Sequence, residues 1–331
     1  MTSSRPLRPD ELPATKLAPG EAALALGDAF DALPLLTEGS VDLVITSPPY
    51  WGLRTYNLEH DDTVLERWLD QGGELGLTPD YAWYRENGGL LGMEPHPEWY
   101  VEHLAELLDL AHGPLTPRGS LWVNIGDTYF ARWSSIRAKG RQGLGETART
   151  RRRTPSGGWR HDKQLLLLPA RLAIALQNRG WILRNDVIWS KPHVAPRPER
   201  DRLRLSHEHL FHFVKRRPNR RPEYFYDLDA VEPGARDVVS VGVKSGGNGH
   251  SATFPEELVR PRIASSSPPA GLVVDPFCGT GSTLKVATEL GRRALGVELS
   301  PSFAGAVARD LAENTPGITA SPVSIGHYVR L

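Results

Sequence analysis

The sequence has one cysteine, Cys278, among 331 residues, and it has no surplus of charge of either sign. A single cysteine excludes an internal disulfide framework and a metal site built from several thiolates. No apolar run approaches the roughly 18 to 20 residues that a membrane-spanning helix needs. The N-terminal stretch MTSSRPLRPDELPATK lacks the apolar core of a secretory signal. We therefore expect a cytoplasmic protein whose fold needs neither a membrane nor a disulfide.

The 39 basic and 39 acidic residues cancel, but they are unevenly distributed along the chain. Basic side chains cluster between Arg132 and Lys163 and again between Arg197 and Arg221, whereas acidic ones dominate around residues 59–80. Two local basic tracts in a neutral protein favour a localised site for a polyanion. A solvated flexible loop is the alternative interpretation of the first tract.

Beyond residue 20, short apolar strands alternate with stretches of helical periodicity, a pattern typical of α/β domains. The predicted strands lie at 41–46, 119–125, 181–189, 209–215, 271–274 and 294–297, and the predicted helices at 100–110, 165–178, 282–290 and 302–313. Residues 1–20 are rich in proline and polar side chains and are predicted to form a flexible tail. Residues 21–331 are predicted to form one domain.

Three segments interrupt this alternation, at about 57–97, 131–162 and 233–250. The first is acidic and aromatic, with Trp68, Tyr81, Trp83 and Tyr84; the second is basic and lacks periodicity; the third is short and rich in glycine. Insertions at the rim of an α/β sheet commonly carry residues that recognise a ligand. We therefore expect these three insertions to contact the macromolecular partner.

The sequence LVVDPFCGTGST, residues 272–283, runs from an apolar strand through an acidic residue and two glycines into a helix. Gly279 and Gly281 permit a tight turn and the close approach of a ligand to the backbone. Glu298 ends the next predicted strand, where an acid in nucleotide-binding α/β folds accepts hydrogen bonds from ribose hydroxyls. A plain strand–turn–helix is the alternative, and a P-loop is excluded because no lysine follows the second glycine.

A second motif, TSPPYW at residues 46–51, stands at the end of the predicted strand 41–46. Pro48 and Pro49 restrict the backbone and have no N–H, so the carbonyl groups before them are expected to point outward as acceptors. Ser47 precedes them and the Tyr50 ring follows, a combination suited to a flat group that bears an amine. A rigid turn without chemistry is the alternative interpretation.

Together, DPFCGTGS, GVELSP and TSPPYW resemble the motifs of amino-group DNA methyltransferases, and TSPPYWGLR is especially close to them. Other blocks of that family are similar to GDAFDAL, LGMEPHPEWYVEHL, GSLWVNIGD, GWILRNDVIWSKP, LSHEHLFHFVK and HSATFPEEL. The resemblance covers roughly residues 20–312, and the catalytic motif precedes the cofactor loop, as in the circularly permuted β group. It implies a Rossmann-like, doubly wound α/β fold with a mostly parallel sheet of about seven strands, in which strand 271–274 lies centrally beside strand 41–46.

The resemblance also implies roles for particular residues. S-Adenosylmethionine would be the cofactor, bound by Asp28, Phe254, Pro255, Asp275, Pro276, Phe277, Gly279, Thr280, Gly281 and Glu298. Asp28 would lie near the adenine of the cofactor, and Phe254 and Pro255 near its methionine end. A helix cap is the alternative explanation of Asp28, and a core position that of Phe254. Ser47, Pro48, Pro49 and Tyr50 would hold the target amine.

Double-stranded DNA would be the partner, and the target base would have to be flipped, because a base inside a duplex cannot reach such a pocket. The candidate phosphate contacts are arginines of the two basic tracts: Arg151, Arg152, Arg153, Arg197, Arg200, Arg202 and Arg204. The three insertions would also lie against the DNA. A separately encoded restriction endonuclease is the expected companion of such an enzyme.

Two features bear on the atom that is methylated. Cys278 lies in the glycine loop and the chain has no Pro-Cys pair, which argues against carbon-5 methylation through a cysteine nucleophile. Ser47 before the prolines favours cytosine N4, since enzymes that act on adenine N6, the alternative target, usually have Asp or Asn there. Methylation of RNA or of a protein amide, and a non-catalytic DNA-binding subunit, are further alternatives. A dehydrogenase is disfavoured because TSPPY has no role in hydride transfer.

The segment HEHLFH contains His207, His209 and His212. Its alternation with apolar residues is that of a strand, and its spacing differs from the H-E-x-x-H of zinc enzymes. We therefore expect no bound metal.

Overall fold

The computed structural model describes residues 17–53, 58–131, 133–137, 149–153, 156–192, 200–231, 234–242, 254–314 and 323–324; for 133–137, 149–153 and 323–324 it describes the backbone only. The strands are β1 Ala22–Leu26, β2 Val41–Thr46, β3 Leu115–Ile125, β4 Trp133–Arg137, β5 Arg149–Arg153, β6 Ile182–Ser190, β7 His207–Val214, β8 Val238–Ser240, β9 Leu272–Asp275, β10 Arg293–Glu298 and β11 Val323–Ser324. The helices are α1 Ala29–Ala32, α2 Val64–Asp70, α3 Tyr81–Glu86, α4 Pro97–Asp109, α5 Leu168–Asn178, α6 Glu256–Ser266, α7 Ser282–Glu289 and α8 Pro301–Asn314.

One sheet contains nine of these strands in the order β11-β1-β10-β9-β2-β3-β7-β6-β8. β2 and β9 are distant in sequence but pair in parallel, with Leu43 opposite Val273. β9 leads into the glycine loop of residues 276–281, and β2 leads into the turn Ser47-Pro48-Pro49-Tyr50, the SPPY turn. The prediction that these two strands lie side by side at the centre of the sheet is therefore confirmed. β7 runs antiparallel to β3 and β6, whereas the other pairs in this sheet are parallel. The predicted mostly parallel sheet is also confirmed.

The sheet has more strands than the expected number of about seven because two short strands extend its edges. β8 has 3 residues and pairs with β6, and β11 has 2 residues and pairs with β1. Strands this short contain too few residues for a hydrophobic pattern to identify them.

Helices cover both faces of the sheet, which confirms the doubly wound architecture. Neighbouring residues of β2 belong to two separate cores, since Val44 packs in the first and Ile45 in the second. The first core includes apolar residues of α4 and α5, and the second includes those of α6, α7 and α8. Successive strand side chains point to opposite faces, so a sheet buried on both sides needs continuous apolar runs such as the one that ends β2.

Proline and local backbone conformation explain where the predicted helices begin. The helix predicted at 100–110 starts earlier, at Pro97, because proline is favoured in a first turn, where its missing N–H loses no partner. The helix predicted at 165–178 starts only at Leu168, because Leu167 is left-handed with φ 55°. Strand β1, with the sequence AALAL, and helix α6, which contains Pro261, are not predicted from the sequence.

The insertions contain more regular structure than the sequence indicates. Segment 57–97 contributes α2 and α3, and its Tyr81 and Tyr84 are buried in the first core. The segment 131–162, predicted to lack regular elements, contains an antiparallel ribbon in which Ser135 of β4 pairs with Arg151 of β5. A two-stranded ribbon is held by backbone hydrogen bonds, so its strands need no apolar alternation.

Candidate active site

The SPPY turn and the glycine loop open onto one cleft at the carboxyl ends of the parallel strands. Its walls include residues from five places in the chain: Asp28 after β1; Ser47, Pro48, Pro49 and Tyr50 after β2; Phe254 before α6; Asp275, Pro276, Phe277, Gly279 and Thr280 at and after the end of β9; and Glu298 at the end of β10. The structure therefore brings together most residues of the predicted catalytic and cofactor-binding sets. Such a cleft is where ligands bind in doubly wound folds.

Pro255 and Gly281, which belong to the predicted cofactor-binding set, are not among the residues that line this cleft. Pro255 is the N-cap residue of α6. Gly281 is left-handed with φ 78°, and a Cβ atom there would lie 2.8 Å from Val307 Cγ1 in α8. The glycine at 281 thus permits the turn into α7 and the close packing of α8.

Hydrogen bonds from the segment that precedes α4, and from α4 itself, hold the SPPY turn. The Tyr100 hydroxyl donates to the Pro49 carbonyl at 2.8 Å, and Trp51 Nε1 donates to the Glu94 carbonyl at 2.9 Å. The Gly52 N–H donates to the Gly92 carbonyl at 2.7 Å. The end of the first insertion therefore supports the turn directly.

Tyr50 belongs to a polar network whose other members sequence analysis missed. Its hydroxyl donates to Glu208 Oε2 at 2.6 Å, and Asn124 Nδ2 donates to the Tyr50 hydroxyl oxygen and to Glu208 Oε2, each at 2.8 Å. Lys191 Nζ forms an ion pair with Glu208 Oε1. Burial raises the pKa of the Tyr50 hydroxyl well above its ordinary value, and the Glu208 carboxylate raises that pKa further. The hydroxyl therefore stays protonated and acts as a donor.

The side-chain amide of Asn124 has its orientation set by this network. Its Nδ2 also lies 3.4 Å from Ser47 Oγ. An amide oxygen in the same place would be repelled by the Glu208 carboxylate, so the NH₂ group points there. Asn124 Oδ1 is buried and has no hydrogen-bond partner among the described residues. Because a buried acceptor without a donor costs free energy, this oxygen is suited to accept from a bound ligand.

Three different strands position these additional polar residues. Asn124 lies near the end of β3, Lys191 directly follows β6, and Glu208 is the second residue of β7. β7 is antiparallel to β3, so its beginning lies at the edge where the parallel strands end. The sequence shows that each of these polar residues lies at or near the end of a strand. Whether that end lies at the cleft depends on the direction of the strand in the sheet, which the sequence alone does not supply.

Asp275 joins the two motifs. Thr46 Oγ1 in β2 donates to its Oδ1 at 2.6 Å, and Thr283 Oγ1 in α7 donates to its Oδ2 at 2.6 Å. The Phe277 N–H adds a bond to Oδ1 at 3.1 Å. Burial raises the pKa of Asp275 to about 6, although these donors act in the opposite direction. Asp275 thus connects the residue before Ser47 to the glycine loop.

Glu298 lies on the other side of the glycine loop. Gly279 N–H donates to its Oε2 at 3.1 Å and Ser300 N–H donates to its Oε1 at 2.9 Å. Burial raises the pKa of Glu298 to about 7. Both bonds come from backbone N–H groups, and each carboxylate oxygen has further acceptor capacity. The side chain can therefore accept additional hydrogen bonds from a ligand.

Asp28 caps a helix and also lines the cleft. Its Oδ1 accepts from the Phe30 N–H at 2.9 Å as the N-cap of α1, and its Oδ2 accepts from the Tyr81 hydroxyl at 3.2 Å. Arg85 Nη1 lies 3.7 Å from the same Oδ2. Burial raises the pKa of Asp28. The capping alternative is therefore real, and it coexists with a position in the cleft wall.

Cys278 is a packing residue of the glycine loop. It is 5% exposed, and burial raises the pKa of its thiol well above the ordinary value. A Cβ atom at Gly296 in β10 would lie 2.9 Å from Cys278 Cβ. A buried, protonated thiol is a poor nucleophile, which agrees with the argument from the sequence against carbon-5 methylation through a cysteine.

The predicted DNA-binding arginines fall into three groups. Arg200, Arg202 and Arg204 lie in the loop before β7, and the Arg202 guanidinium stacks on the Tyr129 ring at 3.8 Å. The second group, Arg151, Arg152 and Arg153, belongs to β5, of which only the backbone is described. Arg197 lies outside the described residues.

The histidines of HEHLFH have protein partners. His212 is buried, lies within 2.9 Å of Ser120 Oγ and stacks on Trp122; burial lowers its pKa to about 3. His209 Nδ1 lies 2.9 Å from Asp186 Oδ1. Within the described part of the chain, no group of three or more His, Cys, Asp or Glu side chains is arranged to hold a metal ion. Among the same residues, no helix has the length and apolar character to span a membrane.

Comparison with known families gives a match over most of the chain. The model of a family described as DNA methylase matches residues 41–309. The chain is 34% identical to the Type II methyltransferase M.Cfr9I of Citrobacter freundii over 95% of this chain and 96% of the relative. It is also 34% identical to the Type II methyltransferase M.SmaI of Serratia marcescens, over 85% and 87% of the two chains.

Solved structures share the architecture. TTHA0409 of Thermus thermophilus, solved in complex with S-adenosyl-L-methionine, superposes with a TM-score of 0.56 at 25% identity, over 90% of this chain and 98% of that one. The cytosine-N4-specific PvuII DNA methyltransferase superposes with a TM-score of 0.60 at 19% identity, over 88% of each chain. At that identity the second likeness shows a common fold alone.

Proposed function

The chain belongs to the N6/N4 DNA methylase family, and from this premise we propose that it transfers a methyl group from S-adenosylmethionine to N4 of a flipped cytosine in double-stranded DNA. The observation that carries the proposal is the single cleft in which Ser47 and Tyr50 meet the glycine loop and Glu298. Near the glycine loop, Glu298 can accept hydrogen bonds from the hydroxyls of a nucleoside. At the SPPY turn, the Tyr50 ring can stack on a base and Ser47 can accept a hydrogen bond from its amine.

The residues around the glycine loop fit S-adenosylmethionine. Glu298 retains acceptor capacity for ribose hydroxyls, and the apolar Phe277, Leu299 and Phe303 line the same cleft beside it. Asp28 lines the same cleft, and we assign it to the neighbourhood of the cofactor's adenine. When bound, this cofactor supplies an electrophilic methyl group on a sulfonium sulfur.

The chain's own residues orient the target amine. An exocyclic amine is a poor nucleophile because its lone pair is delocalised into the ring, and acceptors for its N–H bonds favour a tetrahedral nitrogen. We assign Ser47 Oγ and the unpartnered Asn124 Oδ1 as these acceptors. The Tyr50 ring, whose hydroxyl is held by Glu208, stacks on the flipped base. Catalysis then depends on orientation, and no covalent bond to the protein is needed.

Ser47 supports cytosine over adenine. Enzymes of this family that act on adenine N6 usually have Asp or Asn before the two prolines, whereas this chain has a serine there. The Ser47 hydroxyl can both donate and accept, so it can meet the amine N4 and the neighbouring ring nitrogen N3 of cytosine; adenine presents a similar pair in N6 and N1. Adenine N6 is the alternative target, since the same cleft offers acceptors to either amine.

The test is transfer of radiolabelled methyl groups to duplex DNA, followed by nucleoside analysis of the product. We expect N4-methylcytosine, and recovery of N6-methyladenine would establish the alternative. Label in RNA or protein but not in DNA would overturn the assignment to DNA. A preparation of the Tyr50→Ala variant, purified identically, controls for contaminating activity.

The relatives named as Type II methyltransferases support a role in a restriction–modification system with a separately encoded endonuclease. Sequencing that reports base modification, applied to DNA from cells that express the chain, should find methylation at one short sequence. Methylation without sequence preference would contradict this role.

A further inference from the structure

The loop between β6 and β7 stands at the rim of the cleft. Lys191, at the start of the loop, and Glu208, just after its end, both line the cleft and form an ion pair. The Lys191 N–H donates to the Ser206 carbonyl at 2.7 Å, which closes the base of the loop. The structure describes residues 191–192 and 200–206 of this loop, and its closed base lies beside the part of the cleft that holds Tyr50.

Leu203 is an apolar side chain at an unusual place in this loop. It is 90% exposed, more than the other exposed large hydrophobic residues of the described chain. Arg202 and Arg204 flank it, and Arg200 lies three residues before it. Fully exposing a leucine forgoes the free energy of its burial, and basic neighbours favour a polyanion as the surface that covers it.

Contacts of the two residues before Leu203, together with the Ser206 carbonyl after it, hold the backbone that presents this leucine. Lys163 Nζ lies 2.5 Å from Asp201 Oδ2, and the Arg202 guanidinium stacks on Tyr129 at 3.8 Å. Exposed ion pairs and cation–π contacts are individually weak. Here they act together with the hydrogen bond between Lys191 and Ser206 that closes the base of the loop. The leucine is thus presented by an anchored segment beside the cleft.

We propose that Leu203 is an apolar wedge that enters the DNA stack and fills the space left by the flipped base. This inference rests on the proposed function. Flipping removes a base from between its neighbours, and the lost stacking has to be offset. Apolar side chains, leucine among them, insert between base steps in proteins that deform DNA. Arg200 and Arg204, which stand before and after Leu203 in the sequence, would hold the phosphates on either side of the insertion.

The test compares Leu203→Ala with the wild-type protein on two short duplexes that contain the methylated sequence. One is fully paired, and the other has an abasic site opposite the target base, which lowers the cost of flipping. We expect kcat/KM of Leu203→Ala to fall about ten- to a hundredfold on the paired duplex. On the abasic duplex it should recover to within a few-fold of the wild-type value, as expected when flipping is already favoured.

A second readout is equilibrium fluorescence of 2-aminopurine placed next to the target base. Wild-type protein should increase this fluorescence, because unstacking relieves quenching, and Leu203→Ala should increase it less. Leu203→Met, which retains a long apolar side chain, should behave like the wild type. Leu228→Ala is the matched control. Leu228 is also highly exposed, at 68%, but the neighbouring Asp227 N–H donates to the Ser265 carbonyl at the end of α6, and Leu228 does not line the cleft.

Different results separate the two proposals. Equal loss on both duplexes would place Leu203 in general DNA binding or protein association, and an unchanged Leu203→Ala would remove it from flipping; either overturns the wedge. If the wild-type protein methylates neither duplex, the proposed function fails instead.

Discussion

At the residue scale, two buried acids of the cleft use their oxygens differently. Both oxygens of Asp275 accept from threonine hydroxyls, of Thr46 and Thr283, whereas Glu298 accepts from two backbone N–H groups. The sequence predicts both acids as cofactor-binding residues. Their contacts indicate that Asp275 mainly fixes the position of the SPPY turn relative to the glycine loop, and that Glu298 has more capacity for the ligand.

Replacing Glu298 with Ala removes the proposed hydrogen bonds to the ribose, which together are worth about 1.5 to 3 kcal/mol for a charged acceptor. Calorimetry should show binding of S-adenosylmethionine that is about ten- to a hundredfold weaker. Glu38→Ala, a change at an exposed residue before β2, is the control and should bind as the wild type does. Normal affinity in Glu298→Ala would place the cofactor elsewhere.

Because the pKa of Glu298 is raised to about 7, both the stability of the fold and the affinity for the cofactor should depend on pH near neutrality. The folded protein holds the Glu298 proton more tightly than the unfolded chain does, so the associated stability is present below pH 4.5 and is lost as pH rises through about 7. Cofactor affinity should change in the opposite direction and weaken as the pH falls through about 7, because protonation removes the charge. Glu298→Gln should remove the part of both profiles that is centred near pH 7, while the part that belongs to Asp275, whose pKa is raised to about 6, should remain. Thermal unfolding and calorimetry between pH 5.5 and 8 measure the two profiles, and an unchanged profile in that variant would assign the dependence to another group.

Tyr50 and Ser47 should separate chemistry from cofactor binding. Tyr50→Ala removes the stacking surface, a contact worth about 1 to 3 kcal/mol by analogy with other base–aromatic pairs, and Ser47→Ala removes one acceptor. Both variants should bind S-adenosylmethionine nearly normally, while transfer of labelled methyl groups to DNA falls steeply. Tyr50→Phe, which keeps the ring but loses the bond to Glu208, should be affected less than Tyr50→Ala. Full activity of Tyr50→Ala would contradict a catalytic role for Tyr50.

At the scale of elements, the sequence predicted the central strands well because both faces of the sheet are buried. β2, β9 and β10 have continuous apolar runs that end in polar motifs, and such runs identify buried parallel strands. β1 was missed because AALAL is rich in alanine, which has no preference for strands. The members of the Tyr50 network were missed because Glu208 reaches the cleft only through the antiparallel direction of β7.

The ribbon of β4 and β5 is the element on which electrostatic binding to DNA should depend. Replacing Arg151, Arg152 and Arg153 of β5 together with Ala should weaken DNA binding and reduce the slope of log affinity against log salt, because each phosphate contact contributes about one unit to that slope. Fluorescence anisotropy with a labelled duplex at several salt concentrations measures both. Cofactor affinity serves as the control for folding. An unchanged slope would remove these arginines from the DNA interface.

At the scale of the whole molecule, the order of motifs along the chain matters less than their position in the sheet. The SPPY turn follows β2 and the glycine loop follows β9. Thr46 and Asp275 are 229 positions apart in the sequence, yet a hydrogen bond of 2.6 Å joins their side chains. Parallel pairing of β2 with β9 brings the two carboxyl ends to the same edge. The permuted motif order therefore leaves the cleft intact.

Both halves of the chain should respond together to the cofactor, since Asp28 and Glu298 lie in the walls of one cleft. At a ligand concentration one hundred times the Kd, binding should stabilise the folded state by about 2.7 kcal/mol and raise the Tm by roughly 4 °C for a chain of this size. Hydrogen exchange should slow at once in residues 24–31 and in residues 275–299, although these segments are far apart in sequence. Protection confined to one of the two segments would mean that the cofactor does not span the cleft as proposed.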